Sequence, residues 1–147
     1  MIEKPRAAVG LGNEDLIRDF ELGRAPGAFH HADHVRVAFA YVSEMTLAEA
    51  LAKFPAALRR FAQAQGKPNL YHQTITWAYL LLIADRRARA DGAQSWEEFA
   101  ERNPDLLLWK GGVLDRFYSR ATLDSDLARR RFVFPDRVAG TNAAGED

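Results

Sequence analysis

Between Thr46 and Gly66 the chain reads TLAEALAKFPAALRRFAQAQG. Leu47, Leu51, Phe54, Leu58 and Phe61 recur at separations of three and four, so on a 3.6-residue repeat they share one face. Thr46 and Glu49 stand in capping-box register, hydroxyl to backbone N–H and carboxylate back to the cap. Gly66 supplies the left-handed stop. Pro55 withdraws one backbone donor from the middle of this helix and predicts a kink there. A helix with so defined an apolar face must bury it against other elements, and none of those elements reads as a sheet. No segment alternates apolar and polar residues over a strand's length. The prediction is an all-α, single-domain helical bundle.

The rest of the chain divides along the same lines. Asn13 is placed as the N-cap of EDLIRDFEL, which ends at Gly23. A second helix covers about 33–44, starting within HHADH with Asp33 or His31 near its cap. The Thr46 helix covers about 47–65 and a fourth covers about 73–90. Arginines 86, 87 and 89 lie at the end of the fourth, where unpaired carbonyls favour positive charge, and Gly92 stops it. Ser95 and Glu98 form another capping box, and Pro104 opens a short helix in DLLLWK. GGVLDRFYSR and LDSDLARRRF supply two more short pieces, and FVFPDRVAGTNAAGED reads as extended. The domain is predicted to span 1–135, with a C-terminal tail over 136–147. Phe39, Tyr41, Phe54, Phe61, Trp77 and Tyr79 fall at helical spacing and are assigned to the core.

Composition narrows the function classes. Twenty basic residues balance twenty acidic ones over 147 residues, so no global field favours nucleic acid or an anionic membrane. The absence of cysteine excludes disulfides, thiolate metal sites and a cysteine nucleophile, and suits a reducing, cytoplasmic setting. TWAYLLLIA is about half the length of a membrane span and runs straight into DRRAR. The apolar run in KPRAAVGLG is too short for a signal peptide. Neither a phosphate-cradling glycine loop nor a GxSxG serine motif occurs. The partner expected is a small molecule, with no nucleic acid and no membrane; a homodimer is compatible with the sequence.

Three of the four histidines lie in FHHADH. His31 and His34 are three apart and His30 and His34 four apart, so each pair shares a helical face. His72 opens the fourth helix in YHQTIT, where it shares a face with Ile75, Thr76, Tyr79 and Ile83. Short connections make the second, third and fourth helices run up, down and up. Both histidine segments then lie at one end of the bundle, in a common pocket.

Two helix N-termini at that end hold imidazoles neutral and attract anions. Neutral imidazoles without thiolates suit a catalytic transition-metal site, and zinc, iron or copper are the candidate cofactors. The first reading is a small metalloenzyme with His31, His34 and His72 as metal ligands. Its catalytic set is His34, His72, Asp33 and Tyr71, with Asp33 as cap, ligand or orienter of an imidazole. Thr74, Thr76, Lys110, Trp109 and Tyr118 are assigned to a small, anionic substrate. Gly111 and Gly112 either admit a ligand to the backbone or simply break a helix. The alternative is a metal-free acid–base or ligand-binding pocket built from the same histidines. A second alternative is a non-catalytic helical protein that binds a partner through an exposed face.

The segments FHHADHVRVA, YHQTITWA, NPDLLLWK and FYSRATL together resemble an uncharacterised family of small bacterial all-helical proteins. The likeness extends from the first helix through FVFPD. It implies a shared site whose positions map to His31, Asp33, His34, Tyr71, His72, Thr74, Thr76, Trp109, Lys110 and Tyr118. A likeness in architecture alone links the chain to DinB-like bundles, which hold a divalent metal with three histidines. Those bundles carry a histidine pair on a late helix, whereas no histidine follows His72 here.

Overall fold

A computed structural model describes residues 12–24, 29–92 and 94–137, and among these there are seven α-helices and no strand. They are α1 (Asn13–Glu21), α2 (His31–Glu44), α3 (Leu47–Ala64), α4 (Gln73–Arg89), α5 (Trp96–Arg102), α6 (Arg120–Leu123) and α7 (Asp126–Arg130). Short 3-10 turns at Pro68–Leu70, Pro104–Leu107 and Val113–Arg116 join them. No described helix is long and apolar enough to cross a membrane.

The caps explain where the helices begin. Thr46 Oγ1 accepts from the Glu49 backbone N–H at 3.1 Å while Glu49 Oε1 accepts from the Thr46 N–H at 3.0 Å. The α3 helix then runs unbroken through the buried Pro55. Ser95 and Glu98 repeat the box at α5. In α2 the box shifts the start two residues ahead of the sequence reading. Asp33 accepts from the His30 N–H at 2.9 Å from the third helical position, which makes His30 the cap. Asn13 is likewise inside α1 rather than capping it, with Gly12 in the cap position. Its side-chain amide is occupied elsewhere, donating to Glu44 and accepting from Arg36, each at 3.1 Å.

Helices α2, α3 and α4 form the frame, and α1 covers one side of it. Phe20 of α1 packs its ring on Phe29, Phe54 and Phe61 at centroid separations of 5.6, 5.9 and 5.3 Å. Phe39, Tyr41, Leu80, Ile83, Phe99 and Leu106 are buried in the same core. Each such side chain contributes about 1.5–3 kcal/mol of burial.

Two features fix the surroundings of the site. Asp105 accepts a bidentate pair from Arg86 at 2.7 and 2.8 Å and a further bond from Arg116 at 2.7 Å. The two guanidiniums hold the Asp105 carboxyl below its ordinary range, and they clamp the 104–107 turn to α4. The chain beyond α7 then lies along the body. Thr74 Oγ1 donates to the Arg131 carbonyl at 2.9 Å and accepts from the Val133 N–H at 3.2 Å. Asp136 accepts from the Ser119 N–H at 2.9 Å and from the Thr122 hydroxyl at 3.0 Å. The packed body therefore continues through Arg137, past the boundary at 135, and 138–147 lie outside the described residues.

Candidate functional site

The start of α2, the second half of α3 and the start of α4 line one cavity of about 670 Å³. Val35, Ala38, Phe54, Leu58, Phe61, Ile75 and Tyr79 form its apolar lining. The early residues of α2 and α4 can meet the late residues of α3 only if α3 runs antiparallel to both. All four histidines line this cavity, so the connectivity brings FHHADH and YHQTIT to one end of the bundle.

What each histidine does there depends on its ring nitrogens. His72 is the N-cap of α4, its Nδ1 accepting from the Ile75 N–H at 3.1 Å. Its Nε2 lies 2.7 Å from the Leu123 carbonyl oxygen, to which it must donate. One neutral tautomer satisfies both bonds, and burial lowers the pKa further. Neither nitrogen of His72 has a lone pair left for a metal or a substrate proton. His72, assigned from the sequence as ligand and catalytic residue, here acts as a cap that ties α4 to α6.

His31 Nε2 donates to the Leu106 carbonyl at 2.9 Å, which leaves only Nδ1 uncommitted. Its ring is wedged between Tyr79 at 4.9 Å and Trp109 at 5.2 Å. Asp33 accepts from the His30 N–H through one carboxylate oxygen, Oδ2, in the capping box of α2. Among the described residues no three His, Asp or Glu side chains are grouped to hold a metal ion. Of the donors expected for zinc, iron or copper, His72 has both nitrogens engaged, His31 gives one nitrogen to a carbonyl and Asp33 gives one oxygen to a helix start.

His34 is different. Its ring packs on Phe29 at 4.5 Å. Burial, reinforced by the neighbouring His31 and opposed by Asp33, pushes its pKa down to about 4, and no hydrogen bond contributes. At neutral pH it is an uncharged imidazole in an apolar cavity, with no partner among the described residues for either nitrogen. Such a ring can both donate and accept toward a bound molecule.

The other predicted residues divide between cavity and scaffold. Tyr71, Thr76 and Trp109 line the cavity. The Tyr71 hydroxyl donates to the Gln73 side-chain oxygen, its ring lies under the Arg59 guanidinium at 4.6 Å, and burial raises its pKa. Thr76 donates to the His72 carbonyl at 2.7 Å, leaving its oxygen able to accept. Thr74, Lys110 and Tyr118 do not line the cavity. Thr74 is fully buried and pins the C-terminal segment, Tyr118 donates to the Val133 carbonyl at 2.7 Å, and Lys110 is exposed. Gly111 turns the backbone with a left-handed φ of 64°. A Cβ on Gly112 would meet the Leu108 carbonyl oxygen at 2.5 Å, so it is the backbone itself that approaches there.

Sequence reasoning passed over Phe29, Gln65, Lys67, Asn69 and Arg129, all of which line the cavity. Lys67 and Asn69 were within reach, because KPNL immediately precedes YHQT and must share its end of the bundle. Arg129 carried no signal. It arrives through a fold of the C-terminal segment in which its guanidinium donates to the Asn69 carbonyl at 2.7 Å.

Comparison with protein-family models, curated proteins and solved structures finds no match for the chain.

Proposed function

We propose that the protein binds a small organic molecule in the α2–α3–α4 cavity without a metal, and that His34 exchanges a hydrogen bond or proton with it. The observation that supports this is the contrast among the histidines: His72 gives both ring nitrogens and His31 one to backbone groups, His30 is an exposed helix cap, and His34 is a half-buried, neutral ring with no hydrogen-bond partner among the described residues. The cavity volume lies within the range of small-molecule sites, and its lining is apolar with a few polar groups. A ring with so low a pKa is a weak base in the empty pocket. A ligand that brings negative charge beside it raises that pKa and with it the ring's capacity to take a proton.

The test follows the imidazole C–H and ring nitrogen resonances of all four histidines while neutral probes (phenol and 2-phenylethanol) and, separately, zinc are titrated in. The expected result is a saturable shift at His34 with the probes and no stoichiometric response to zinc. Saturable zinc binding that moves His31, His34 and His72 together overturns the proposal, as does a His34 ring that no pocket probe moves.

A further inference from the structure

The cavity has polarity along its depth. Val35, Ala38, Phe54 and Phe61 are buried and make its inner wall, while Lys67, Asn69 and Arg129 are exposed and make its rim. Both rim cations come from outside the three helices of the wall: Lys67 from the connection between α3 and α4, Arg129 from α7. The hydrogen bond from Arg129 to the Asn69 carbonyl draws these two segments together. Among the described residues no aspartate or glutamate lines the cavity. Neither Lys67 nor Arg129 forms an ion pair among the described residues. Leu70 and Trp109 extend the apolar wall outward at the mouth, 70% and 57% exposed.

Resting on the reading of this cavity as a small-molecule site, we infer that its ligand is an amphipathic organic anion. A carboxylate or phosphate monoester head sits between Lys67 and Arg129, and an apolar body lies against Phe54, Leu58 and Phe61. The chemistry follows from the two zones. An apolar body removed from water at the inner wall supplies most of the affinity. The head group stays at the wet rim, where two unpaired cations select its sign without the desolvation cost of a buried charge. A cationic ligand meets repulsion there and no compensating carboxylate. A neutral ligand of the same shape keeps the wall contacts and loses the rim.

Calorimetric titration of the full chain with octanoate, octyl phosphate, 4-phenylbutyrate, octanol and octylamine tests this. The expected order places at least one of the three anions tenfold or more tighter than octanol, with octylamine weakest. The preferred anion identifies the head as carboxylate or phosphate. Lys67→Gln should weaken that anion about fivefold and leave octanol within twofold. Arg129→Gln should do the same, and because Arg129 also holds Asn69, the Lys67 variant carries the comparison if the second misfolds. Octanol or octylamine binding as tightly as every anion overturns the inference while leaving the small-molecule reading standing, provided His34 still responds. Failure of all five probes overturns the inference, and the neutral probes at His34 then decide separately whether the cavity takes small molecules at all.

Discussion

Lowering the pH from 7 to 5 should cost the native fold about 2 kcal/mol through His34 alone, and replacing that ring with an amide should remove the loss. The imidazole has a pKa of 6.5 when exposed and about 4 in the folded protein. A depressed histidine pKa means that the unfolded chain binds the proton first. Stability is therefore full above 6.5, falls as the pH drops through that value, and levels off once the pH is below the folded pKa. Each pKa unit corresponds to about 1.4 kcal/mol, so the whole displacement is worth about 3 kcal/mol. About 2 kcal/mol of it is spent before pH 5, above the range in which most carboxylates titrate. His31 and His72 are shifted the same way, also by burial first, and add loss of the same sign.

The assay is urea unfolding at pH 7.0, 6.0 and 5.0 for the wild type and for His34→Gln, with free energies extrapolated to water. His34→Gln keeps a neutral polar group of similar reach and has nothing to protonate. The wild type should lose about 2 kcal/mol more than the variant between pH 7 and 5, the contributions of the other histidines cancelling in the difference. Parallel curves for the two proteins would refute the reasoning: His34 would then be solvated in the native state, and the cavity around it open to water. An anion bound at the cavity rim should shrink the difference, because it favours the imidazolium that burial disfavours.

His72→Ala removes a helix cap and the donor to Leu123 together, and should cost about 2–3 kcal/mol in urea unfolding. His72→Asn, which keeps a cap acceptor, should recover about 1 kcal/mol of that, whereas a metal ligand would show no such rescue. Thr74→Val preserves shape but strands the Arg131 carbonyl and the Val133 N–H; a loss of about 1–3 kcal/mol is expected, with limited proteolysis now cutting after Arg131. Gly112→Ala should destabilise by about 1–3 kcal/mol, because its methyl meets a backbone oxygen that only a shift of the 108–112 loop can relieve. Trp109 fluorescence, isolated by replacing Trp77 and Trp96 with Phe, would report that shift.

The bundle was legible because its local signals agree. The Thr46–Glu49 and Ser95–Glu98 boxes, the stripe on α3 and the closing Gly66 each name a boundary independently, and the structure places helices there. The start of α2, read from the sequence with Asp33 or His31 near the cap, falls at His30, because histidine is an unusual cap and Asp33 is the residue reaching back to it. The meeting of FHHADH and YHQTIT was also legible, since it needs only chain direction and short connections.

What the sequence withheld was how each imidazole spends its nitrogens. A spacing argument counts rings, but a ligand or base is a lone pair, and lone pairs are allotted by distant backbone groups. The carbonyl that takes His31 comes from residue 106, held in place by the Arg86–Asp105 clamp. The one that takes His72 comes from residue 123. Neither has any pattern linking it to the histidines, because backbone carbonyls carry no residue identity. The same blindness hid the rim. Lys67 lay beside a recognised motif, whereas Arg129 is one of three consecutive arginines that differ only in where α7 turns. Once those groups are placed, the cluster stops being three equivalent ligands. Among the described residues His34 keeps both ring nitrogens without a partner, His31 keeps one and His72 keeps none, and only the placed backbone reveals that inequality.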